Sequence, residues 1–481
     1  MSRKRSSVLL AAVATLPLSL FAAAGTAHAA PVTVTSGTQF ADTAGNPVQA
    51  HGGGVIKVGQ YYYWFGEDRN PDNTFHYVSA YRSTDLKTWE FRNHVLTQAS
   101  GTELANGASI ERPKVIFNSS TNQFVMWMHK EGSSTDYSEG EVAVATSGTV
   151  DGDYSYQGSF RPLGYDSRDM TLYKDDDGTA YLISSSSGNA DLHIYRLSAD
   201  YLTAEALVAN PSPGQWREAP ALFKRDGVYF LLTSSATGWS PNQQRYQTTT
   251  SLTGSWSGLQ DVGDPTTYRS QTAFVLPVQG TQGTNYLYMG DRWGNSMGGT
   301  VNDSQYVWAS LRFPTTTTMA MDYSPQVSID AAAGTVASVG GPWERLAARN
   351  SGKCADVANY DFSQSSPVIQ WSCGAGANQN FWFKDLGTGY SQIIARHSGK
   401  CLDVAGASTA DGAAIVQNTC SAATSQQWKT QKVTGTTSVK LVARHSGKCL
   451  DVTNQSTADG TSLEQWTCNT GYNQQWQRTT V

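Results

Sequence analysis

The sequence predicts an all-β chain, with a five-bladed β-propeller followed by a second β domain that is built from a shorter threefold repeat. Two observations support this prediction. A hairpin unit with a polar residue at its start occurs five times before residue 333, and a cysteine-containing motif occurs three times after residue 344. Hairpin units at intervals of about 50 residues are typical of propeller blades. The two periods therefore indicate two architectures in one chain.

The clearest hairpin runs from Trp216 to Ser235. It contains a strand, an Asp-Gly turn at residues 226–227, and a second strand rich in aromatic and β-branched residues. Four other units have the same design, and the first residues of successive units lie 49 to 60 positions apart. The residues that open the five innermost strands are His51, Glu111, Asp169, Glu218 and Gln271.

In a propeller, the first residues of the innermost strands lie at the same end of the central channel. We therefore expect three carboxylates and two neutral polar groups to converge there. One acid at a strand start is more often a solvated turn residue than a functional group. Three acids at matching positions of a repeat favour a functional site.

The first 29 residues have the pattern of a secretory signal peptide. A basic start at residues 3–5 precedes an apolar run over residues 8–24, and Ala27-His28-Ala29 matches a cleavage site. A membrane anchor is disfavoured because the apolar run is short and is interrupted by Pro17. We therefore expect a secreted, extracellular protein without membrane partners.

The composition agrees with an extracellular all-β protein that binds sugars. Charged residues make up 15% of the chain, while glycine (45), tryptophan (14) and tyrosine (23) are abundant. Aromatic rings supply the apolar faces on which sugar rings stack. The formal net charge of −5 argues against nucleic acid as a partner. We expect a monomer.

The second period begins after residue 343. A Ser-Gly-Lys-Cys motif starts at residues 351, 398 and 446, and a second cysteine follows each first one by 19 positions. Six cysteines with this repeated spacing in an exported chain predict three disulfides, one per repeat. The cysteines are Cys354 and Cys373, Cys401 and Cys420, and Cys449 and Cys468.

These repeats, each closed by a Gln-x-Trp-like element, resemble the ricin-type β-trefoil of carbohydrate-binding module family 13 over residues 344–481. The resemblance implies galactose-type sites in the first and third lobes, and a weak or inactive second lobe. In the second lobe Asp403 is retained, but Asn418 and Ser425 replace the usual aromatic and asparagine residues. The implied sugar-binding residues are Asp356, Trp371, Asn378 and Gln379 in the first lobe, and Asp451, Trp466, Asn473 and Gln474 in the third.

The preceding part, residues 30–333, is expected to be the propeller, and the small residues around 334–343 a flexible linker. A propeller with inward acids beside a sugar-binding trefoil resembles glycoside hydrolase family 43. The resemblance implies that Glu218 is the general acid and that Asp169 orients and tunes it. The family's aspartate base is replaced by His51.

The histidine in place of the aspartate restricts the resemblance to one branch of the family. The His-Gly-Gly-Gly motif at residues 51–54, Ile-Glu-Arg-Pro at 110–113 and Ser-Arg-Asp-Met at 167–170 resemble the exo-β-1,3-galactanase branch of the family. In that branch a fifth-blade glutamine, here Gln271, acts in place of the base, and a second-blade glutamate, here Glu111, holds the substrate. The implied partners are β-1,3-galactan and arabinogalactan.

The chemistry of the residues is compatible with this role. Inverting hydrolysis needs a proton donor on the leaving oxygen and a group that positions water on the opposite face. Asp169 beside Glu218 would raise the donor's pKa by like-charge repulsion. Gln271 can orient water, although its neutral amide scarcely accepts a proton. His51 is the more conventional base, or alternatively a buried structural group or a ligand of a channel ion.

The sequence leaves open the presence of an ion, the exact function and some of the substrate-binding residues. No cofactor is required, although a structural ion in the propeller channel is compatible with the sequence. An α-L-arabinofuranosidase or β-xylosidase of the same fold, and a non-catalytic galactose-binding lectin, are the alternative functions. Further candidates for substrate binding are loop and strand-end residues near the channel, namely Glu67, Tyr137, Thr237 and Trp239.

Overall fold

The computed structural model describes Met1 and residues 30–99, 102–105 and 107–481. The predicted signal peptide lies outside the described residues. Within this part of the chain, no helix is long and apolar enough to cross a membrane. All helices among the described residues are short 3₁₀ turns. The all-β prediction is therefore confirmed.

After β1 (Val32–Thr35), the chain forms five consecutive four-stranded antiparallel sheets of a propeller-type domain. The first contains β2 (His51–Val58), β3 (Tyr61–Arg69), β4 (Phe75–Ser83) and β5 (Glu90–Thr97), and the second β6 (Ser109–Asn118), β7 (Gln123–Glu131), β8 (Glu141–Ser147) and β9 (Ser155–Phe160). The third contains β10 (Met170–Lys174), β11 (Ala180–Ser186), β12 (Asp191–Leu197) and β13 (Ala204–Ala209), and the fourth β14 (Arg217–Arg225), β15 (Val228–Ser235), β16 (Gln244–Thr249) and β17 (Gln260–Val262). The fifth contains β18 (Gln271–Gly280), β19 (Gly283–Arg292), β20 (Gln305–Arg312) and β21 (Ala320–Asp322).

The first strands of the five sheets pack against one another, and β18 packs against β2 as well as β14. In four of these strands the pairing register shifts within the first few residues, directly after or next to His51, Glu111, Glu218 and Gln271. Bulges of this kind bend a strand locally and change the direction of its side chains. They turn the polar residues at the strand starts out of the regular pleat.

A three-stranded sheet lies outside the five hairpin units. It consists of β1, β22 (Gln326–Asp330) and β23 (Thr335–Val339), with β22 in the centre. The flexible linker expected at residues 334–343 is therefore wrong for residues 335–339, which pair with β22 along its whole length. Val336 is buried beside this pairing. Valine and small residues suit a short paired strand as well as a linker, so composition alone misled the prediction.

The remainder of the chain is a β-trefoil-like domain with its own hydrophobic core. The three predicted disulfides, Cys354–Cys373, Cys401–Cys420 and Cys449–Cys468, are all formed. Its strands are β24 (Trp343–Ala348), β25 (Cys354–Val357), β26 (Ser366–Trp371), β27 (Phe381–Asp385), β28 (Ser391–Ala395), β29 (Cys401–Val404), β30 (Ala413–Asn418), β31 (Gln427–Lys432), β32 (Val439–Ala443), β33 (Cys449–Val452), β34 (Thr461–Trp466) and β35 (Trp476–Thr480).

Short 3₁₀ helices occur in loops of both domains. In the propeller-type domain they span Pro162–Gly164, Thr267–Arg269, Gly294–Met297 and Val301–Asp303. In the trefoil they span Ala358–Tyr360, Ala377–Gln379, Ala405–Ala407, Thr424–Gln426, Thr453–Gln455 and Tyr472–Gln474.

Candidate active site

A cavity of about 320 Å³ lies at the end of the propeller-type domain where the innermost strands begin. It brings together four of the five residues that open those strands; His51 is the exception. Of the further candidates, Thr237 is not part of the lining, although its neighbours Ala236 and Gly238 are. The predicted residues that line the cavity are Glu67, Glu111, Tyr137, Asp169, Glu218, Trp239 and Gln271.

Glu218 is buried near the start of β14, and the rest of the site holds both of its carboxyl oxygens. Its Oε1 accepts a hydrogen bond from Nε2 of Gln271 at 2.9 Å, and its Oε2 accepts one from Nδ2 of Asn189 at 3.3 Å. Burial, and then the nearby carboxylate of Asp169, raise the pKa of Glu218 to about 8. Glu218 therefore keeps its proton at neutral pH.

Asp169 lies directly before β10 and links the second, third and fourth sheets. Its Oδ1 is 2.8 Å from Nε of Arg112, and its Oδ2 accepts a hydrogen bond from the backbone N–H of Ala219 at 3.1 Å. Ala219 follows Glu218 in the chain, so this bond fixes the position of Asp169 relative to the protonated acid. The arrangement agrees with the expected like-charge effect of Asp169 on Glu218.

Gln271, at the start of β18, uses all of its hydrogen-bonding capacity. Its Oε1 accepts from Nη2 of Arg112 at 2.6 Å and from Nε1 of Trp293 at 2.8 Å. Its Nε2 donates to Glu218 and also to Oγ of Ser234, both at 2.9 Å. An amide oxygen has two lone pairs and an amide nitrogen two hydrogens. Gln271 therefore holds the general-acid candidate in one orientation.

Glu111 is ionised whereas Glu218 is protonated, because cations surround Glu111. Its Oε1 lies 2.9 Å from Nη2 of Arg69 and accepts from the Tyr137 hydroxyl at 2.7 Å. Its Oε2 lies 3.1 Å from Nδ1 of His129. Burial acts to raise the pKa of Glu111, but Arg69 and then His129 outweigh it and hold the pKa well below its ordinary value.

His129 connects Glu111 to a second buried acid, Glu131. Its Nε2 lies 2.8 Å from Oε1 of Glu131, whose other oxygen accepts the backbone N–H of Gly140 at 2.9 Å. Burial disfavours a charged ring, but the hydrogen bonds to Glu111 and Glu131 outweigh it and raise the pKa of His129 to about 9. The imidazolium thus joins Glu111, which lines the cavity as His129 does, to Glu131, which is buried outside the lining.

His51 lies outside the cavity. Its ring is fully buried, with Nδ1 3.1 Å from Oδ1 of Asp291 and Nε2 2.9 Å from Oε1 of Gln49. It also stacks on Tyr306 at 4.8 Å between ring centroids. Both nitrogens are used inside the protein, so of the two expected base candidates Gln271 alone contacts the cavity.

Sequence reasoning did not find several residues of the site. Three of them, Arg69, Arg112 and His129, are buried cations that contact acids of the site, and they occupy positions without a repeat pattern. Arg112 and Arg168 stand beside Glu111 and Asp169 in the motifs already noted, and this adjacency was the available signal. The additional lining residues are Arg69, Arg112, His129, Ser134, Arg168, Asn189, Ala236, Gly238 and Trp293.

In the first lobe of the trefoil, Asp356 accepts hydrogen bonds from Nδ2 of Asn378 and Nε2 of Gln379, both at 2.8 Å. Trp371 stands beside them with 48% of its surface exposed. Burial raises the pKa of Asp356 to about 6. A carboxylate next to an uncovered indole ring is the combination that a sugar site requires.

The third lobe repeats this arrangement and the second does not. Asp451 accepts from Asn473 and Gln474, both at 2.7 Å, and Trp466 is 43% exposed. In the second lobe the side chain of Asn418 donates to Asp403 at 3.0 Å. An amide thus occupies the position at which the other lobes have an indole.

Comparisons with known proteins agree with the geometry of both domains. The profile of Glycosyl hydrolases family 43 matches residues 45–275, and that of the Ricin-type beta-trefoil lectin domain-like family matches residues 335–418 and 424–481. A search of curated proteins found no match.

Similar solved structures include an exo-β-1,3-galactanase from Clostridium thermocellum. It is 44% identical, the match covers 93% of this chain and 100% of that chain, and the TM-score is 0.66. A variant of the exo-β-1,3-galactanase from Phanerochaete chrysosporium, solved with β-1,3-galactotriose, is 31% identical over 93% of each chain, with a TM-score of 0.63. Identity of this level over nearly the whole length, together with the matched profiles, shows that the chain is a glycoside hydrolase of family 43 with a ricin-type β-trefoil lectin domain at its C-terminal end.

Proposed function

We propose that the protein is an exo-β-1,3-galactanase that inverts configuration and releases galactose from β-1,3-galactan, including the backbone of arabinogalactans. The observation that carries the proposal is the buried Glu218, which stays protonated in the same cavity as the ionised Glu111. A buried carboxyl group that is protonated at neutral pH is the general acid that glycoside hydrolysis requires. Solved relatives named as exo-β-1,3-galactanases support the choice of substrate.

Each neighbour of Glu218 has a distinct part in the proposed reaction. Glu218 gives its proton to the glycosidic oxygen as the bond between that oxygen and the anomeric carbon breaks, while water adds to the opposite face of that carbon and loses a proton to solvent. Asp169 keeps that proton in place by its negative charge, and the Nε2 donor of Gln271 fixes Oε1. Glu111, ionised and hydrogen-bonded to Tyr137, is placed to accept hydroxyl groups of the substrate.

The packing of the five sheets supports a propeller with the site at one end of its channel. We infer that the five sheets are five blades around one axis, because the first strands pack in sequence and β18 returns to β2. The strand starts then surround one entrance to the channel. This geometry is suited to an exo-acting enzyme, which needs convergent groups around a single terminal sugar.

No cofactor is needed in this proposal. Oxygen and nitrogen atoms of Glu111, His129 and Asp169 lie within 4.8 Å of one another, as in a metal site. However, Arg69 and Arg112 already pair with the two acids, and His129 is held as an imidazolium that has no lone pair for a metal. The residues present therefore do not fit a cation at this position.

The trefoil would hold the enzyme on its polymeric substrate through the first and third lobes. Three disulfides and the lectin domain support secretion into an oxidising environment. We propose that the protein acts as an extracellular monomer.

Product analysis tests the substrate and the mechanism together. The protein is incubated with β-1,3-galactan, arabinan and xylan, and the released sugars are identified by chromatography and their anomers by proton NMR. We expect galactose from galactan alone, released first as the α-anomer. Arabinose or xylose as the main product would instead identify an arabinofuranosidase or xylosidase, and no product from any polymer would support a lectin.

A further inference from the structure

The loop before β18 has an unusual backbone conformation. Thr267, Tyr268 and Arg269 have φ angles of 49°, 56° and 56°, so three consecutive non-glycine residues are left-handed. A residue in this conformation is strained and persists only where its surroundings determine it. The loop ends one residue before Gln271, which holds Glu218. Whatever fixes this loop therefore helps to position the catalytic acid.

Residues of the trefoil make some of the contacts that fix this loop. Asp264, at the start of the loop, is buried, and its Oδ1 accepts the backbone N–H of Tyr268 at 2.7 Å. Its Oδ2 accepts the hydroxyl of Tyr360, from the first lobe of the trefoil, at 2.6 Å. Arg269 donates from Nη2 to the carbonyl oxygen of Asn359 at 2.9 Å. One carboxylate thus joins the left-handed turn to the trefoil.

A second connection runs through Arg292. This buried guanidinium lies over the ring of Phe362 in the trefoil, 4.0 Å from its centroid, and donates from Nη2 to the carbonyl oxygen of Tyr268 at 3.0 Å. The next residue, Trp293, donates to Oε1 of Gln271. Phe362 therefore supports both the turn and the residue that fixes the amide of Gln271.

We infer from these contacts that the first trefoil lobe is a structural part of the catalytic site, with Tyr360 and Phe362 as positioning residues for Gln271. The inference rests on the proposed function for its kinetic readout. It assigns the trefoil a role in the hydrolysis of short substrates, in addition to holding the polymer. Sugar binding by the lobe and bracing of the loop use different residues, so the two roles can be separated.

The kinetic test compares Phe362→Ala with Phe383→Ala in the full-length protein, on β-1,3-galactotriose. Phe383 is a matched control because it belongs to the same lobe, packs against the trefoil core and also lies against an arginine, Arg478 at 3.6 Å, away from the loop. We expect kcat to fall about tenfold in Phe362→Ala, because small displacements of catalytic groups cost this much or more. KM should change little, Phe362→Tyr should restore kcat, and Phe383→Ala should leave kcat within twofold of the wild type.

Hydrogen–deuterium exchange of residues 264–273 gives a readout that does not depend on activity. Exchange should increase in Phe362→Ala and, less strongly, in the milder Tyr360→Phe, but not in Phe383→Ala. Unchanged exchange and kcat in both positioning variants would overturn the inference. If Phe362→Ala does not fold, Tyr360→Phe alone decides. If the wild type does not hydrolyse the trisaccharide, the proposed function fails, while the exchange result still tests the brace.

Discussion

Replacing Asp169 by asparagine should move the basic limb of the pH–rate profile to lower pH. In the wild type, burial and then Asp169 raise the pKa of Glu218 to about 8, so activity should fall as pH rises through that value. The Asp169→Asn substitution would leave the burial intact but remove the negative charge, and Nε of Arg112 would lose its ionic partner at 2.8 Å. A charge of this kind shifts a neighbouring pKa by about 1–3 units.

With a shift of about one unit, the fraction of protonated Glu218 falls about twofold at pH 7 and about ninefold at pH 9. The deficit of Asp169→Asn should therefore grow with pH, beyond any constant loss from altered geometry. The assay is kcat on β-1,3-galactotriose between pH 5 and pH 10. The control is Asp175→Asn, because Asp175 follows the far end of the same strand and pairs with Lys224 there. A reduced rate with an unshifted limb would refute electrostatic tuning by Asp169.

Four other outcomes are expected. Glu218→Gln should lower kcat by about 10²–10⁴-fold while galactotriose still binds, and more than a tenth of wild-type turnover would reject Glu218 as the acid. Glu218→Gln should also unfold at a higher temperature than the wild type above pH 8. The folded-state pKa of Glu218 lies above its unfolded value, so the wild type loses stability as pH rises between the two values, and the glutamine variant does not. Equal melting temperatures at pH 9 would contradict this. Gln271→Ala should lose activity by orders of magnitude, and Gln271→Glu should retain some activity with a new acidic limb; a wild-type level in Gln271→Ala would exclude any role. In calorimetric titrations with galactan, Trp371→Ala and Trp466→Ala should each weaken binding, whereas a larger effect from Asp403→Ala would contradict the assignment of the lobes.

The architecture could be predicted from sequence because its information is local and repeated. Each hairpin carries its own turn and alternation, and each cysteine pair has its own spacing, so five sheets and three disulfides follow from patterns of short range. The error at residues 335–339 has the opposite cause. β23 is defined by its pairing with β22, which in turn pairs with β1 at the far end of the propeller-type domain's sequence, and no local pattern records that contact.

The acids of the site were also predictable, because a repeat places them at equivalent strand starts. The protonation states of these acids were harder to predict from the sequence. Arg69 and His129 lie on β3 and β7, at positions that alternation predicts as ordinary strand residues, yet both project into the cavity. His51 was predicted to lie at the site, but it does not line the cavity. It opens its strand as the acids do and is followed by the same kind of bulge, but Asp291 and Gln49 hold its ring outside the cavity.

The cavity thus holds two glutamates in different protonation states through the placement of its cations. Glu111 and Glu218 are both buried glutamates in the same cavity. Arg69 and His129 contact Glu111 directly and keep it ionised, whereas the guanidinium of Arg112 is bound to Asp169 and Gln271, so Glu218 receives amide donors instead. An amide donor stabilises a carboxylate less than a cation does. Because Gln271 stands between Arg112 and Glu218, exchanging it for a residue that lets the guanidinium reach Oε1 would lower the pKa of Glu218. The neutral glutamine at this position thus separates the guanidinium from the acid, and burial together with Asp169 outweighs the lowering of the Glu218 pKa by Arg112 and by the Gln271 hydrogen bond.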